Sequence, residues 1–327
     1  MAIRIKFNKY GSSEVLKIEK YLPNDPLYNE IQVENNVIGI NFIDIYMRNG
    51  LYPVTNLPSG LGIEAAGVVI KKGKNIIDFK VGDRVVYAQG KLGAYSEIHN
   101  VKENVAVHLP DNISFKDAAA CFLKGITVYY LFNKVYKIKY NEKFLFYAAA
   151  GGVGSIACQW AKLIGAKLIG VVGSENKRII AKSFGAWDVI NYKNENIVSR
   201  VNEITKGNKV RVVYDSFGKT TWFDSLDSLK KRGLMVSFGN ASGFVKNINL
   251  DILNKKGSLY VTRPSIRDYI SNKKELKKIS KILFDMLLSG KLKAIVPSEQ
   301  IFSLKDVKKI HDMIESKNTY ASSLLVP

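Results

Sequence analysis

The chain has 327 residues, which suits two domains of ordinary size, and its 46% hydrophobic content is enough to fill a core. That composition excludes an intrinsically disordered chain. The two cysteines, Cys121 and Cys158, are too few for a disulfide scaffold or a four-cysteine structural zinc site. The first residues, MAIRIKFN, have no apolar stretch of the secretory type, and no segment reaches about 18 uncharged apolar residues. We therefore expect a cytoplasmic protein that does not use a membrane.

The formal net charge of +20 would suit a partner such as nucleic acid or an anionic membrane. The 49 basic residues, however, comprise 40 lysines and only 9 arginines, and they are spread along the whole chain. Lys230-Lys231-Arg232 is the only run of three. Because base reading and phosphate clamping favour arginine, this pattern indicates a lysine-coated, solvated surface. Nucleic acid is therefore not the expected partner, although the charge can speed the encounter with an anionic cofactor.

The first hundred residues predict short strands joined by tight turns. Apolar residues alternate or cluster in 31–34, 68–70 and 85–87, which is typical of strands. Ten glycines between residues 11 and 93 punctuate the region. We therefore predict an all-β, loop-rich module here rather than a helical one.

The pattern changes near residue 115, where Ser114 is a candidate N-cap for a helix through residues 117–120. The run 144–150 is continuously apolar, as in a strand buried on both faces of a parallel sheet. From there, strands alternate with helices up to about residue 262, which indicates a doubly wound fold. The other predicted strands are 167–172, 210–214, 233–238 and 258–261, and the predicted helices are 154–164 and 175–184.

After Pro264 the sequence becomes helical. The apolar residues of 273–288 follow one stripe, and Gly290 is the expected C-terminal end of that helix. Lysines cover its other face, which is more typical of a solvated surface helix than of a membrane-bound one. A final strand is predicted at 322–326. The fold class is therefore α/β, with an additional β domain.

A glycine-rich turn, residues 148–154 (AAAGGVG), lies between the first buried strand and the helix that follows it. Ala149, Gly151 and Gly154 have the 1-3-6 spacing of dinucleotide-binding turns. Small residues are needed because the backbone turns sharply, approaches a pyrophosphate and packs helix against strand. The helix N-terminus then offers N–H groups and a partial positive charge to the phosphates. We predict a dinucleotide site at this turn.

The end of the second buried strand predicts which dinucleotide binds. NAD-binding proteins place an Asp or Glu there to bond the adenosine ribose, but here Gly173 occupies that position. Ser174 and Lys177 follow, and a hydroxyl with an ammonium suits a 2′-phosphate that a carboxylate would repel. Glu175 is the one acid nearby, and we interpret it as a residue of the helix start, where negative charge is stabilised. NADPH is therefore favoured over NADH.

The stretch 141–159 together with Lys162 resembles the signature of the quinone oxidoreductase/zeta-crystallin branch of the zinc-free medium-chain dehydrogenases/reductases. The resemblance covers essentially the whole chain and is greatest to the bacterial members. It implies a GroES-like catalytic domain with an inserted Rossmann domain, and a cofactor in the cleft between them. The implied domains are the GroES-like domain at 1–124, the Rossmann domain at 125–264, and a C-terminal segment at 265–327 that returns to the catalytic domain. The supporting stretches are 39–44 (GINFID), 82–85 (GDRV), 212–216 (VVYDS) and 232–239 (RGLMVSFG).

Comparison with zinc-dependent relatives points to a site without metal. Those relatives carry Cys where this chain has Asn41, and His in a Gly-His-Glu triplet that reads Gly62-Ile63-Glu64 here. Zinc needs thiolate or imidazole ligands, and neither is present at these positions. Since no Lewis acid would polarise the substrate, we expect an acceptor that takes electrons readily, such as a quinone or an α,β-unsaturated carbonyl compound.

The resemblance also implies which residues form the site. Asn41 and Tyr46 would be the catalytic residues, facing the nicotinamide and the substrate, with Tyr46 as donor of a proton or hydrogen bond to the developing oxyanion. Gly152 and Val153 would hold the pyrophosphate, and Arg263 could instead have a structural role. The full set of predicted cofactor-binding residues is Asn41, Tyr46, Thr127, Tyr130, Gly152, Val153, Gly173, Ser174, Lys177, Tyr192, Ser216, Phe238, Gly239, Arg263 and Lys317.

The function implied by the resemblance is NADPH-dependent reduction of quinones by hydride or electron transfer, and family members are commonly homodimers or tetramers. Family members often pair Rossmann edge strands, for which 258–261 is the candidate here. Two alternatives stay open. One is an NADPH-dependent alkenal or enoyl reductase, because hydride addition to a conjugated C=C bond needs the same site. The other is a crystallin-like protein that binds single-stranded nucleic acid, which the charge of +20 keeps open.

Overall fold

The computed structural model describes all residues from 1 to 327. It divides into two compact units. The first, which we call the split unit, consists of Met1–Ile126 together with Ile270–Pro327. The second, the inserted unit, is the continuous segment Thr127–Tyr269.

Sixteen strands are labelled here in chain order. They are β1 (Ala2–Phe7), β2 (Lys17–Tyr21), β3 (Glu30–Gly39), β4 (Ser59–Gly60), β5 (Glu64–Lys72), β6 (Arg84–Ala88), β7 (Ile98–Lys102), β8 (Ala106–His108), β9 (Lys143–Tyr147), β10 (Lys167–Val172), β11 (Asp188–Asn191), β12 (Val210–Asp215), β13 (Leu229–Ser237), β14 (Tyr260–Thr262), β15 (Ile301–Ser303) and β16 (Leu324–Val326).

Ten α-helices accompany them, and a single π-helical turn at Leu131–Val135 continues the second helix. The helices are α1 (Phe42–Asn49), α2 (Phe115–Tyr130), α3 (Gly152–Leu163), α4 (Glu175–Ser183), α5 (Ile197–Thr205), α6 (Trp222–Asp227), α7 (Asp251–Lys255), α8 (Ile266–Tyr269), α9 (Lys273–Leu288) and α10 (Val307–Glu315).

The inserted unit is built on one parallel sheet of six strands, in the order β11-β10-β9-β12-β13-β14. Counted along the chain, this order is 3-2-1-4-5-6, which is that of the dinucleotide-binding Rossmann sheet. Strands β9 and β10 are buried except at their first residues, as expected of strands covered on both faces. Strand addition reverses between β9 and β12, so ligands of such a sheet bind at the carboxyl ends of these strands. The predicted Rossmann architecture is confirmed.

The split unit contains a mainly antiparallel sheet of seven strands, in the order β15-β16-β3-β5-β6-β8, with β7 paired to β3. A second sheet has the order β2-β1-β4. Strand β16 pairs with β3 through Leu324 and Gly39, so the end of the chain joins a sheet formed by N-terminal residues. Phe7, Val85 and Leu325 belong to the hydrophobic core of the split unit. The predicted GroES-like β domain is thereby confirmed as the second part of the fold.

The prediction that the first hundred residues lack a helix is wrong, because α1 lies among them. Asn41 precedes α1, and its N–H donates to Oδ2 of Asp44 at 2.9 Å, which closes one half of a capping box. Gly50 ends the helix with φ at +85°. Ile45 and Tyr46 are buried on one side of it. The many glycines predicted turns correctly, but they also obscured a helix of two turns between two of them.

Some strand limits were also predicted wrongly. The strand predicted at 144–150 ends at Tyr147, because Ala148 has φ at +55° and begins a turn. The strand predicted at 258–261 runs instead from Tyr260 to Thr262, since Ser258 also has a positive φ. Strand β11 and helices α5, α6 and α10 were not predicted.

Helix α9 has the bounds that its apolar stripe predicts, and Leu276, Ile279 and Leu283 of that stripe are buried. Ser114 accepts a hydrogen bond from the N–H of Asp117 at 3.0 Å, as expected of the N-cap of α2. None of the helices combines the length and the apolar character that crossing a bilayer requires.

Candidate functional site

The glycine-rich turn at 148–154, which we call the phosphate turn, connects β9 to α3 in the inserted unit. Ala148 takes the left-handed conformation, and the N–H of Gly151 donates to its carbonyl oxygen at 2.9 Å. A Cβ on Gly154 would lie 2.2 Å from the same oxygen, so only glycine lets α3 approach the strand this closely. Gly152 and Val153 form the first turn of α3, whose N–H groups have no partner within the helix. This arrangement can bind a phosphate.

The end of β10 brings together four of the predicted residues. A Cβ on Gly173 would lie 2.7 Å from the hydroxyl oxygen of Tyr192, so this phenol lies beside the position that NAD-binding proteins fill with an acid. Ser174 is the N-cap of α4, and its Oγ accepts from the N–H of Lys177 at 3.2 Å. Because Oγ accepts there, the hydroxyl hydrogen remains to donate. Glu175 lies in the first turn of α4, as predicted.

Arg178 is another cation near this end of the sheet, and its guanidinium already has hydrogen-bond partners. It donates to Glu175 at 3.3 Å, to the carbonyl oxygen of Val189 at 3.2 Å and to Glu195. An arginine held by two carboxylates contributes little attraction to a third anion. Among the predicted residues at this end of the sheet, Lys177 is the one with a cationic side chain.

The carboxyl ends of β12 and β13 place Ser216, Phe238 and Gly239 side by side. The N–H of Phe238 donates to the carbonyl oxygen of Asp215 at 2.8 Å, and a Cβ on Gly239 would lie 2.4 Å from the carbonyl oxygen of Ser216. Arg263 donates to the carbonyl oxygens of Ser237 and Gly239 at 2.6 and 3.1 Å. Arg263 therefore stabilises the backbone at the carboxyl end of β13.

Asp215 is a residue that the sequence prediction missed, and it shapes the loop after β12. Its carboxylate is fully buried and accepts from the N–H groups of Phe217 and Gly218 at 2.7 and 3.0 Å. The hydroxyls of Thr221 and Ser225 donate to its other oxygen at 2.7 and 2.6 Å. Four donors of this kind satisfy a buried carboxylate and fix the loop that carries Ser216.

Thr127 and Tyr130 lie one turn apart in the last part of α2. The ring of Tyr130 stacks on that of Tyr269, with centroids 5.3 Å apart and planes 17° from parallel. Burial raises the pKa of the Tyr130 phenol, so this group stays protonated at neutral pH. It can act there only as a neutral hydrogen-bonding group.

In the split unit, α1 carries the two predicted catalytic residues. Asn41 is the N-cap, and Tyr46 lies in the helix with 7% of its surface exposed. The ring of Tyr46 contacts those of Phe42 and Tyr52, with centroids 5.1 and 4.9 Å away. The three aromatic rings hold one another in place, so the position of the Tyr46 phenol is well defined.

The amide of Asn41 belongs to a polar group that we call the Asn41 cluster, formed by half-buried Asn41 and by Glu64 and Lys124, which are buried. Nδ2 of Asn41 donates to Oε2 of Glu64 at 2.8 Å, and the N–H of Leu123 donates to Oε1 at 2.6 Å. Nζ of Lys124 lies 3.6 Å from Oε2. Sequence reasoning named Glu64 only as part of a triplet and missed Lys124, because residues 41, 64 and 124 share no local pattern.

A second buried network leads away from α1. Burial raises the pKa of Asp44 to about 7, and its Oδ2 accepts from Tyr95 Oη at 2.9 Å. Tyr95 Oη lies 3.2 Å from Nε2 of His311, and Arg48 lies 3.3 Å from Nδ1 of the same ring. Burial and the Arg48 charge lower the pKa of His311 to about 3, so the ring is neutral at physiological pH. Arg48, itself fully buried, pairs with Glu315 at 2.5 Å.

The donor set of the Asn41 cluster does not fit a catalytic zinc ion. Where zinc-dependent relatives have a thiolate and an imidazole, this chain offers a carboxamide, on Asn41, and the hydrocarbon side chain of Ile63. The remaining carboxylate, on Glu64, already has an ammonium beside it, which would repel a metal cation. No group of three or more His, Cys, Asp or Glu side chains is placed to hold a metal ion anywhere in the chain.

The predicted residues thus fall into two sets that the structure brings together separately. The phosphate turn, the end of β10 and the ends of β12 and β13 meet at one edge of the inserted unit's sheet, as parallel strands require. Asn41 and Tyr46 lie on α1 of the split unit. Lys317 also belongs to the split unit, just after α10, with φ at +60°. Its predicted part in cofactor binding stays a prediction.

Family models match both parts of the chain. The model described as alcohol dehydrogenase GroES-like domain matches residues 28–111, and the model described as zinc-binding dehydrogenase matches residues 152–284. The first match falls in the split unit, and the second covers most of the inserted unit and continues into α9.

Individual proteins match over the full length. A quinone oxidoreductase of Salmonella typhimurium is 59% identical over 327 residues, which cover 100% of both chains. A 2-haloacrylate reductase of a Burkholderia species is 36% identical over 333 residues, covering 100% of this chain and 99% of that protein. Among solved structures, Escherichia coli quinone oxidoreductase complexed with NADPH has a TM-score of 0.99 at 58% identity, covering 99% of this chain and 100% of the other.

Proposed function

We propose, because this chain belongs to the quinone oxidoreductase branch of the medium-chain dehydrogenase/reductase family, that it reduces quinones with NADPH. The observation that carries the proposal is the 59% sequence identity to a quinone oxidoreductase over the full length of both proteins. A structure with a TM-score of 0.99 was solved with NADPH bound. When bound, NADPH supplies the hydride for the acceptor. The chain's own residues supply binding, orientation and hydrogen bonds.

The geometry at the end of β10 supports NADPH rather than NADH. Gly173 has no acid to bond a free ribose, and the phenol of Tyr192 lies where a side chain at this position would begin. Ser174 and Lys177 then offer a hydroxyl and an ammonium to the 2′-phosphate. The phosphate turn would bind the pyrophosphate through Gly152 and Val153. The predicted contacts of Thr127, Tyr130, Ser216, Phe238, Gly239, Arg263 and Lys317 belong to the same proposal.

We assign the chemical step to α1. Hydride transfer to a quinone leaves negative charge on an oxygen atom, and a fixed O–H donor stabilises that charge. Tyr46 is the donor that we propose, since its phenol is held by Phe42 and Tyr52. Asn41 would orient the reactants through its amide, which Glu64 holds. No metal takes part in this proposal, because Lys124 and Glu64 already balance each other's charge in the Asn41 cluster.

The assembly that we propose follows the family. The domains would be residues 1–124 with 265–327 and residues 125–264. Strand β14 is an edge of the parallel sheet, and Tyr260 on it is 58% exposed, which supports pairing with a second copy in a homodimer. We place the protein in the cytoplasm and assign it no nucleic-acid partner. Sedimentation of wild type and of Tyr260→Lys tests the dimer, because a charge on this exposed edge position opposes pairing with a second copy.

Steady-state kinetics test the proposed activity. Purified protein is assayed with NADPH or NADH and with 1,4-naphthoquinone, and the loss of NADPH absorbance and the formation of hydroquinone are both measured. We expect turnover of the quinone, with a kcat/KM for NADPH at least about tenfold above that for NADH, as a charged contact to the 2′-phosphate requires. Binding of NADPH without any quinone turnover would contradict the proposal.

A second candidate is the reduction of an activated C=C bond, which the full-length similarity to a 2-haloacrylate reductase favours. Hydride addition to the β-carbon of such an acceptor also leaves negative charge on a carbonyl or carboxylate oxygen, so the same donors serve. The assay for quinones is therefore repeated with 2-chloroacrylate, a 2-alkenal and a crotonyl thioester. A kcat/KM higher for one of these than for naphthoquinone would replace the first proposal by the second.

A further inference from the structure

Lys124 is an unusual lysine because it lies inside the protein without a hydrogen bond. Only 4% of the residue is exposed, and Nζ has no hydrogen-bond partner. Its nearest charged group is the fully buried Glu64, whose Oε2 is 3.6 Å away. Burying an ammonium and a carboxylate together has a large desolvation cost, and a pair of apolar side chains would often be more stable. The pair therefore needs a reason other than stability.

The carboxylate of Glu64 is held on all sides by the split unit. Leu123 donates its N–H to Oε1, and the amide of Asn41 donates to Oε2. Gly39 lies against the same group, and a Cβ there would be 2.5 Å from Oε2. The Asn41 amide therefore meets a carboxylate oxygen at a fixed place, and its Nδ2 also faces the carbonyl oxygen of Gly39 at 3.5 Å.

The side-chain amide of an asparagine can rotate by about 180°, which exchanges the places of Oδ1 and Nδ2. The neighbouring group decides which of these two atoms faces it, according to whether that neighbour accepts or donates a hydrogen bond. An ionised Glu64 is an acceptor only, so it takes Nδ2 of Asn41 and leaves Oδ1 on the other side. A protonated Glu64 would carry an O–H donor, which attracts Oδ1 and turns Nδ2 away. Nζ of Lys124 lies 3.6 Å from Oε2, so the cluster pairs an ammonium with a carboxylate, and Glu64 meets Asn41 as an acceptor.

We propose that Lys124 is a positioning residue for the reduction: its buried ammonium keeps Glu64 an acceptor, and Glu64 thereby fixes the direction in which Asn41 presents its amide. The inference deepens the proposed function and rests on it, because Asn41 is the residue assigned to orient the reactants. It explains why a lysine without hydrogen bonds lies next to a residue of the active site. It also gives the glycine at position 39 a role, since any side chain there would displace the carboxylate.

The test uses the full-length protein and three variants. Lys124→Met removes the charge at similar volume. Lys124→Met with Glu64→Gln removes both charges and restores an uncharged, hydrogen-bonded interior. In this double variant the new amide must turn its oxygen to the Leu123 N–H and its nitrogen to Asn41, so Asn41 turns its Oδ1 inward. Lys116→Met, on the exposed face of α2, is the control for the loss of one lysine.

Kinetics, urea unfolding and infrared spectra are measured for each variant. We expect Lys124→Met to lower kcat about tenfold or more, with the KM for NADPH within about twofold, because the phosphate contacts of the inserted unit are unchanged. Its infrared spectrum should gain the band of a protonated carboxylic acid, which the double variant lacks. The double variant should regain unfolding midpoint but not kcat. Lys116→Met should match the wild type in every measurement.

A purely structural role for the pair gives a different result. In that case kcat would recover together with the unfolding midpoint in the double variant, and the inference would be overturned. Unchanged kcat in a folded Lys124→Met would overturn it too. If Lys124→Met does not fold, the double variant alone decides, since a folded and fully active double variant excludes positioning by charge.

Failure of the proposed function can be told apart from failure of the inference. If the wild type reduces no quinone with NADPH, the proposed function fails. The inference is then decided by the side-chain amide resonance of Asn41, assigned by nitrogen-15 NMR, and by the infrared band. A shift of that resonance in Lys124→Met, together with a new carboxylic acid band, supports the positioning of Asn41 by Lys124. Unchanged spectra overturn it.

Discussion

The phosphate turn of the inserted unit and the Asn41 cluster of the split unit are formed by different kinds of chemical group. The phosphate turn uses backbone and small residues, and its geometry depends on contacts such as the one between Gly154 and the carbonyl oxygen of Ala148. The Asn41 cluster uses long polar side chains that come from three separate elements of the split unit. A backbone site tolerates almost any neighbour but no added atom, whereas a side-chain site depends on the charge state of each member.

The phosphate turn and the Asn41 cluster should therefore be disrupted by different kinds of change. A single extra carbon atom should destroy the phosphate turn at any pH. The polar groups around α1 should instead respond to charge and pH while the packing stays intact. The predictions that follow test this contrast, beginning with the change that we expect to cost most.

Gly154→Val should have the largest effect. Its Cβ would lie 2.2 Å from the carbonyl oxygen of Ala148 and 2.6 Å from backbone atoms of Ala149, and none of these is a flexible side-chain end. We expect a loss of more than about 4 kcal/mol in the free energy of unfolding, measured by urea titration, and no measurable binding of NADPH by fluorescence. Gly90→Ala, where a Cβ meets only ordinary contacts at 3.5 and 3.6 Å, is the matched control. A stable Gly154→Val variant that binds NADPH would show that the backbone of the turn can shift to accommodate a side chain.

This contrast also explains what the sequence could predict. The phosphate turn, β10 and α9 follow from local patterns: small residues at fixed spacing, a continuous apolar run and one apolar stripe. The end of β9 could not be placed within three residues, because Ala148 adopts a left-handed conformation that an alanine does not signal. Helix α1 had signals, the Asn41-to-Asp44 capping pattern and Gly50, but they were outweighed by the glycines around them.

The polar groups of the split unit were beyond prediction for a different reason. Asn41 was named through the resemblance, but its partners Glu64 and Lys124 are distant in sequence, and only the pairing of β3 with β5 and the packing of α2 bring them close. No sequence pattern singles out His311, yet it lies in the core between Tyr95 and Arg48. Long-range pairing of this kind leaves no periodicity to read.

Asp44→Asn should have the second largest effect, and it should depend on pH. Burial raises the pKa of Asp44 from 3.8 to about 7, so the folded protein holds this proton more tightly than the unfolded chain does. The stabilisation from protonated Asp44 is complete below about pH 4 and is lost as the pH rises through about 7. In the Asp44→Asn variant the side chain is neutral at every pH, so the unfolding free energy does not show this decrease. We expect the unfolding free energy of the variant, relative to wild type, to rise by about 3 to 4 kcal/mol between pH 4 and pH 8.

The exposed Asp111 provides the control for that experiment, since Asp111→Asn removes the same charge from a side chain that is 96% exposed. Its stability should stay close to that of the wild type at both pH values. A difference between Asp44→Asn and wild type that is the same at pH 4 and pH 8 would mean that folding does not shift the pKa of Asp44. The polar groups around α1 would then be insensitive to pH in this range.

Tyr46→Phe tests the side-chain donor that α1 supplies to the chemical step, and its effect should be the third largest. The variant keeps the ring contacts with Phe42 and Tyr52 but removes the O–H donor. Loss of one oxyanion donor predicts a fall in kcat of about 100-fold, equivalent to ~2.7 kcal/mol, with binding of NADPH unchanged. Tyr52→Phe should have a smaller effect, and Tyr140→Phe, on an exposed tyrosine, should have none. If Tyr52→Phe lowered kcat more than Tyr46→Phe, the donor would have to be reassigned to Tyr52.

Lys177→Ala should give the smallest of these effects, because it removes a side chain from a site whose frame is backbone. The turn at Gly173 and the cap of α4 by Ser174 stay in place, so the unfolding free energy should barely change. Loss of a charged contact to the 2′-phosphate predicts that the Kd for NADPH rises about 30-fold, or ~2 kcal/mol, while the Kd for NADH is unchanged. Lys139→Ala, on an exposed lysine before β9, removes the same charge away from the strands' carboxyl ends and should change neither Kd. Equal losses for NADPH and NADH in Lys177→Ala would mean that the lysine binds another part of the cofactor, and the preference for NADPH would then have to come from Ser174 and Tyr192.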